Sequence, residues 1–375
     1  MKTIGILGAG QLARMLAISG IPLGFKFRFL DPATSSPASC VGEHINSPFE
    51  DSSALHKLAN SSDVITYEFE NIPVSVVGDL ARIRGVYPPP IALESSQDRL
   101  VEKQFFNKHG IATAPFHPVD DLASLENAMA FLGLPMILKT RRFGYDGKGQ
   151  FLVKSSEETV TAFRELGQKG IIAEGFVKFD RELSLLAARA TDGSTVFYPL
   201  VENYHHDGIL RLSLAPAFHS EDLYKKVISQ VGGILKALDY VGVLAVEFFE
   251  KDGLLIANEM APRVHNSGHW TIEGAETSQF ENHIRAVSGL PLGDPGPRGF
   301  SAMINLIGNM PDPAQVLKIP GAHFHDYGKE PRPGRKLGHI TIRSDSLDKL
   351  NSILCQNLHL LPNKTANDWQ NRTTR

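Results

Sequence analysis

Residues 241–260 read Val-Gly-Val-Leu-Ala-Val-Glu-Phe-Phe-Glu-Lys-Asp-Gly-Leu-Leu-Ile-Ala-Asn-Glu-Met. Two apolar runs, Val241–Glu250 and Leu254–Met260, flank Lys251-Asp252-Gly253, which is a hairpin signal. With the hairpin axis near Gly253, Glu247 and Glu259 become cross-strand partners on one face, their β-carbons about 4.5–5.5 Å apart. Like charges facing each other destabilise a sheet, and Glu247 sits in an otherwise apolar strand. A divalent cation between the two relieves both problems. Mg2+ suits the position, because it is held by one or two carboxylates together with substrate phosphates, and Asn258 offers a further oxygen. The competing possibility is a register one residue out, which turns one glutamate to water.

Upstream of this hairpin the pattern is antiparallel strands, Ile171–Ala173, Arg181–Ala190, Thr195–Val201 and Arg211–Ser213, with a helix from about Glu221 to Leu238. Further upstream, Met136–Lys139 and a strand from Phe151 flank the loop Gly144-Tyr145-Asp146-Gly147-Lys148-Gly149-Gln150. A hairpin presents this loop, and no GxxxxGK[ST] motif is present. Its glycines cost chain entropy and pack against nothing. It reads either as a mobile surface hairpin or as a flap whose amides and Lys148 close over a triphosphate above Lys139. A helix is expected over Ser96–His109.

The first 95 residues follow a different pattern. Strands at Thr3–Gly8, Phe25–Leu30 and Val64–Phe69 alternate with helices, as in a parallel sheet, and the Pro88-Pro89-Pro90 run closes the unit. Gly8-Ala9-Gly10-Gln11-Leu12-Ala13 fits the GxGxxG/A dinucleotide fingerprint, with Asp31 where a ribose-binding acid belongs. On this segment alone, NAD binding and a plain strand-to-helix turn are equally good readings.

Downstream of the hairpin, Ala261-Pro-Arg-Val-His-Asn-Ser-Gly-His-Trp270 offers Arg263, His265 and Asn266 to a small anion, or forms a polar loop with a helix cap at Asn266 or Ser267. His265 and His269 lack the HExxH glutamate and the third ligand of a zinc site. Strands at Ser301–Ile307 and Gly338–Ser344 flank Lys329-Glu-Pro-Arg-Pro-Gly-Arg-Lys336, which reads as a solvated basic loop or a phosphate-binding arm.

Composition narrows the class. The 375 residues are 42% hydrophobic and 21% charged, which excludes a disordered or collagen-like chain. At about 100–200 residues per domain, two or three domains are expected. The net charge of -3 argues against nucleic acid as a partner. Cys40 and Cys355 are far apart and form neither a disulfide framework nor a CxxC metal site. Gln11 and Arg14 interrupt the first apolar run, so a signal peptide is not expected. No stretch approaches the ~20 apolar residues of a membrane span. The expectation is a cytoplasmic protein, in which the sequons at Asn60, Asn363 and Asn371 are chance matches.

Segments 144–150, 192–200 (Asp-Gly-Ser-Thr-Val-Phe-Tyr-Pro-Leu), 261–270 and 332–336 (Arg-Pro-Gly-Arg-Lys) together resemble the signatures of the ATP-grasp superfamily. Within it they resemble the N5-carboxyaminoimidazole ribonucleotide synthetase family, over nearly the whole chain. The resemblance implies a mixed α/β and α+β architecture, an ATP-grasp fold with a Rossmann-like parallel-sheet domain at the N-terminus and a small C-terminal domain. The units are 1–97, 98–297 with a mobile lobe at about 135–180, and 298–375, the last ending in a polar tail from Asn367 to Arg375. The GxGxxA turn then belongs to the substrate side and is no NAD site.

The activity implied is carboxylation of 5-aminoimidazole ribonucleotide with ATP and bicarbonate, in purine biosynthesis. By motif match, Arg99 and Lys139 contact phosphates, and Gly144, Tyr145, Asp146, Gly147, Lys148, Gly149 and Gln150 form the flap. Glu174, Gly175, Phe176 and Val177 line adenine, Glu182 binds the ribose, and His205 lies near the nucleotide. Glu247 and Glu259 hold Mg2+ or Mn2+, with Asn258 beside them. Arg263, His265, Asn266 and Lys329 form the carboxylation centre. Gln11, Leu12, Glu68, Tyr145, Asp146, Lys329, Arg332, Arg335 and Lys336 face the ribonucleotide. The family also implies a homodimer, with small molecules rather than nucleic acid or membrane as ligands. A formate-dependent glycinamide ribonucleotide transformylase and an NAD-dependent dehydrogenase remain as rivals.

Overall fold

The computed structural model describes residues 2–144, 147–360, 365–367 and 369. Its strands fall into three sheets that follow one another along the chain. β1 (Thr3–Leu7), β2 (Lys26–Asp31), β3 (Glu43–Asn46) and β4 (Val64–Tyr67) form a parallel sheet in the order β3-β2-β1-β4. β5 (Phe116–Val119), β6 (Met136–Thr140), β7 (Gln150–Val153) and β8 (Ile171–Gly175) form an antiparallel sheet in the order β5-β8-β6-β7.

The third sheet is the largest and is antiparallel throughout. It holds β9 (Arg181–Arg189), β10 (Thr195–Phe197), β11 (Val201–His206), β12 (Ile209–Ala215), β13 (Gly242–Lys251), β14 (Leu254–Ala261), β15 (Phe300–Ile307), β16 (Ala322–Asp326) and β17 (Lys336–Ser344). They run β14-β13-β9-β11-β12-β15-β17-β16, with β10 also on β9. The segment after residue 298 therefore extends this sheet through the β12–β15 pairing. Trp369, in the stretch expected as a polar tail, is buried against Leu212, Ile304 and Ile342; the rest of 368–375 lies outside the described residues.

Local chemistry explains where expected elements divide. The helix expected over Ser96–His109 is present as Arg99–Lys108, and a short helix, Pro90–Ser96, precedes it. Asp98 separates them, capping the second helix at Leu100 N (3.0 Å) while its carboxylate takes two bonds from Arg141 (2.9 and 2.7 Å). The strand expected over Thr195–Val201 divides into β10 and β11 around Pro199, which has no N–H for the ladder. β3, β5 and β16, each four or five residues long, escaped the sequence reading.

The N-terminal sheet packs one face on a core of its own, with Leu7, Leu30, Leu58, Ile65, Tyr67 and Leu80, and shares the other with the large sheet. Leu12, Ala13 and Leu16 of the helix Gln11–Gly20 share one cluster with Leu186 and Val243 of the large sheet and with Phe280 and Ile284 of the helix Gln279–Ser288. The small sheet has a separate core, built by Val119, Leu125, Met136, Leu138, Phe163 and Ile171. That core begins upstream of residue 135, because β5 and the helix Leu122–Leu132 belong to it. Among the described residues no helix is long and apolar enough to cross a membrane.

The GxGxxA turn is already filled by protein. The Glu68 carboxylate accepts from Gly10 N (2.6 Å), Leu12 N (3.1 Å) and Ala13 N (3.1 Å), placing its charge on the free amides of the helix N-terminus. A Cβ at position 10 would lie 2.6 Å from Glu68 Oε1, so a side chain there would push this carboxylate from its amides. Asp31 is likewise spent on Ala9 N (3.0 Å) and Ala33 N (2.8 Å). The two groups a dinucleotide would need, free amides and a free acid, are engaged with each other's loops, which removes the NAD reading.

Glu68→Ala should therefore cost about 2 kcal/mol of stability, the scale of losing hydrogen bonds to a charged acceptor at a helix terminus. Urea denaturation of the two proteins measures it; an unchanged midpoint would mean that water replaces the carboxylate without loss.

Candidate active site

The hairpin turn is made by Asp252 and Gly253, both with positive φ (51° and 74°), the primed turn that matches strand twist. From that turn the ladder counts Lys251 opposite Leu254 and Phe248 opposite Ala257, which would set Glu247 opposite Asn258. A bulge changes the count. Asn258 is the extra residue, and Glu247 pairs with Glu259. The facing carboxylates thus arise from a register shift that the sequence does not announce.

Side chains of the helix Arg99–Lys108 hold this bulge. Lys103 Nζ donates to Asn258 O (3.2 Å), and Met260 N donates to the buried Glu102 carboxyl (2.6 Å). Burial, then the Glu259 charge, push Glu102 up to about 8. Burial and the same neighbour also raise Glu247, whereas Arg99, 2.9 Å from Glu259, outweighs burial and keeps Glu259 ionised. Asn258 Oδ1 is buried with no hydrogen-bond partner among the described residues. Two carboxylates and an orphaned amide oxygen are the hard donor set that Mg2+ or Mn2+ takes. The donors fit the ion.

Behind the pair lies a second charged cluster. Glu174 at the end of β8 meets both Lys139 (3.0 Å) and Lys103 (3.2 Å), all three buried. Burial opposes ionisation of Glu174, but the two lysines hold it down to about 2. Burial lowers Lys139. The flap hairpin joins β6 to β7, as the sequence indicates. A Cβ at Gly147 (φ 76°) would lie 3.0 Å from Gly208 Cα, so the loop reaches across from the small sheet to the β11–β12 turn. Tyr145 and Asp146 lie outside the described residues. Glu182 on β9 and His205 on β11 sit 3.0 Å apart; burial works against the imidazolium, but Glu182 raises His205 to about 9.

The segment after β14 turns into a cleft of about 540 Å³. Arg263 pairs with Glu70 (2.9 Å). Asn266 and Asn305 bond each other reciprocally (3.0 and 2.6 Å). Burial and Arg263 lower His265 to about 3, and its ring lies 3.7 Å from Glu247. His265 itself caps the short 3-10 turn Asn266–Gly268, a role expected of Asn266 or Ser267. Lys329 Nζ donates to Gln11 Oε1 (2.5 Å), with burial, then Arg335, lowering it to about 8.

One cleft thus gathers Gln11, Leu12, Glu68, Arg99, Gly144, Glu259, Arg263, His265, Asn266 and Lys336. Arg332 and Arg335 stand outside its lining, Arg332 exposed and Arg335 donating to Glu330 O (3.1 Å).

Three family models match in order: the ribonucleotide synthetase preATP-grasp domain over residues 1–97, the ATP-grasp domain over 104–280, and the phosphoribosylaminoimidazole carboxylase C-terminal domain over 301–352. The N5-carboxyaminoimidazole ribonucleotide synthase of Pseudomonas aeruginosa is 52% identical over 91% of this chain and 94% of its own. The chain belongs to the N5-carboxyaminoimidazole ribonucleotide synthase family. Its members are ATP-grasp carbon–nitrogen ligases of purine biosynthesis, which settles the choice against a formate-using sister enzyme. The Thermus thermophilus synthetase has 56% identity and a TM-score of 0.92, covering 96% of this chain and 98% of that one. The Aspergillus clavatus synthase, solved with ADP and 5-aminoimidazole ribonucleotide, has 31% identity and a TM-score of 0.88, covering 96% and 98%.

Among residues that this family's motifs did not point to, Glu102 and Lys103 stand three and four positions after Arg99, so one helix face carries all three. That spacing was the available signal. Glu70 and Asn305 carried none, since their partners are far away in sequence.

Glu102→Leu should lower stability by about 1–3 kcal/mol, because Met260 N–H loses a buried acceptor. Glu102→Gln keeps the acceptor and should be tolerated. Folding of the parent takes up a proton at Glu102 between the ordinary 4.5 and about 8, so its stability falls across that range. The Gln variant should gain on the parent as pH rises through the same window; denaturation at several pH values reads the slope, and parallel curves would contradict it.

Proposed function

We propose that this chain carboxylates 5-aminoimidazole ribonucleotide in two steps within the cleft, working in the cytoplasm as a homodimer built of units 1–97, 98–297 and 298–375. A bicarbonate oxygen attacks the γ-phosphorus of ATP, the bond to the β–γ bridging oxygen breaks, and ADP leaves carboxyphosphate. The exocyclic amine of the ribonucleotide then attacks the carboxyl carbon, phosphate leaves, and the nitrogen loses a proton. Two exposed cysteines, Cys40 and Cys355, fit a reducing compartment.

What carries this reading is the Glu247–Glu259 pair beside the orphaned Asn258 oxygen, one step along the chain from Arg263, His265 and Asn266. Glu247, Glu259 and Asn258 would hold Mg2+ or Mn2+, which neutralises charge on the transferring phosphate. Arg99 and Lys139 supply fixed cations to the phosphates, and the 144–150 flap covers them. The end of β8, Glu174 to Val177, borders adenine, and Glu182 with His205 meets the ribose side. Arg263, His265, Asn266 and Lys329 hold bicarbonate where carboxyphosphate forms. Gln11, Leu12, Glu68, Lys329, Arg332, Arg335 and Lys336 receive the ribonucleotide, with Tyr145 and Asp146 from the flap. The separate core of the small lobe lets it close without disturbing the rest, which shields a water-sensitive intermediate.

Glu259→Gln should abolish ATP turnover in a folded protein, since it keeps shape and removes charge. MgATP should raise the melting temperature more than ATP with a chelator. Full turnover in the variant at saturating Mg2+ would remove the metal assignment.

Arg332→Ala and Arg335→Ala should each raise KM for the ribonucleotide by about tenfold or more, given ~1.5–3 kcal/mol for a charged hydrogen bond, with KM for ATP little moved. Unchanged constants in both variants would leave this segment a solvated turn. The Gly8–Gln11 turn is a poor substitute phosphate site, because Gly8 N donates to Leu30 O (2.8 Å), Ala9 N to Asp31 (3.0 Å) and Gly10 N to Glu68 (2.6 Å).

A further inference from the structure

We infer that Ser267, Ser184 and Asn203 form a one-way hydrogen-bond chain that, together with the Ser267 backbone N–H, holds His265 as its Nε2–H tautomer, so that the ring meets bicarbonate as a donor and not as a base. The inference rests on the placement of His265 in the bicarbonate pocket and goes beyond it by assigning three positioning residues and the proton on the ring.

The chain runs across the middle of the large sheet. Ser213 on β12 bonds Asn203 Oδ1 on β11 (2.7 Å), Asn203 Nδ2 bonds Ser184 Oγ on β9 (2.9 Å), and Ser184 Oγ bonds Ser267 Oγ (2.9 Å). Ser267 Oγ ends on His265 Nδ1 (2.9 Å). All four polar side chains are at most 4% exposed, and Ser184 and Ser213 each stand between two leucines of their strands. Buried hydroxyls and amides without water must satisfy each other, so the order of donors and acceptors along such a row is constrained.

Hydroxyls alone would allow the row to run in either direction. A backbone group decides it. Ser267 N–H also donates to His265 Nδ1 (3.3 Å), and a backbone N–H cannot reverse. Nδ1 is therefore an acceptor, the ring is neutral, and the proton is on Nε2. With that end fixed, Ser267 Oγ donates to Nδ1, Ser184 Oγ donates to Ser267, and Asn203 Nδ2 donates to Ser184. Among the described residues Nε2 makes no hydrogen bond, which leaves this side of the ring to a ligand. Nε2 stands 3.7 Å from Glu247 Oε1, beyond hydrogen-bond range, and His265 lines the cleft. The backbone of the ring is held as well, since Gln279 accepts from His265 N (2.9 Å) and donates to His265 O (2.7 Å). A neutral donor so oriented stabilises oxygen charge on bicarbonate or carboxyphosphate without taking a proton at Nε2.

The test labels the whole protein with 15N-histidine and reads the His265 ring by long-range 1H–15N correlation, assigning it by its loss in His265→Gln. The parent should show protonated Nε2 and bare Nδ1. Asn203→Asp turns the head of the chain from donor to acceptor, so Ser184 donates toward it and Ser267 is released from Nδ1. Nδ1 keeps the Ser267 N–H but loses the hydroxyl donor, so it should stay bare while its 15N resonance moves, with KM for bicarbonate raised roughly tenfold or more and KM for ATP little changed. Ser184→Ala breaks the chain without adding charge and covers the case where the aspartate does not fold; Ser184→Thr should restore both readings. An Nδ1–H or doubly protonated ring in the parent, or ring shifts unchanged in both Asn203→Asp and Ser184→Ala, would overturn the inference. If the tautomer behaves as described while His265→Gln leaves KM for bicarbonate unmoved, the relay stands and the bicarbonate placement falls.

Discussion

Two carboxylates that repel each other across a hairpin organise this molecule. Glu247 and Glu259 face one another only because Asn258 bulges out of the ladder, and the bulge persists only because Glu102 and Lys103 satisfy the backbone groups around it. Arg99, from the same helix, keeps one of the two ionised. A short helix is thereby committed to supporting a site on a strand it does not belong to. Like-charge opposition of this kind is a cost in any fold, met here in part by Arg99 beside Glu259 and by the raised Glu247 carboxyl.

The same division between support and chemistry recurs elsewhere. Glu68 neutralises the N-terminus of the helix Gln11–Gly20, so that a turn with the glycine pattern of a nucleotide site serves as a rigid wall of the cleft. The shared core of the N-terminal and large sheets fixes that wall against Arg263 and His265. The small sheet contributes to no cluster shared with the other two, and it carries Lys139, Glu174 and the flap. Rigid parts thus hold the acceptor side, while the separately packed part carries the groups proposed to meet the triphosphate.

Much of this was legible in the sequence. Alternation of strand and helix before residue 95, antiparallel strands after 171, and the Asp-Gly turn led to the sheets in their proper places, because local periodicity and turn chemistry dominate there. Asp98 was not seen as the cap that starts Arg99–Lys108, since an aspartate inside an apparently helical run has no distinct local signature. Pro199 was overlooked within a strand for the same reason of scale: one residue decides, and its effect is on hydrogen bonding rather than on pattern. The bulge is the most instructive case. The glutamate pairing was expected from a symmetric hairpin, whereas counting from the actual two-residue turn sets Glu247 against Asn258; tertiary bonds from a helix 150 residues upstream restore it. Partners such as Glu70 for Arg263 and Asn305 for Asn266 depend on which strands meet across domains, and no local spacing carries that information.

The central claim is that the cleft delivers the γ-phosphoryl group of ATP to an oxygen of bicarbonate before the ribonucleotide amine reacts. Turnover in 18O-labelled bicarbonate, with mass analysis of the inorganic phosphate released, addresses it directly. Attack through a bicarbonate oxygen, followed by cleavage of the carbon–oxygen bond, leaves one labelled oxygen in each phosphate. Phosphate free of label, formed while the ribonucleotide is carboxylated, would contradict the account.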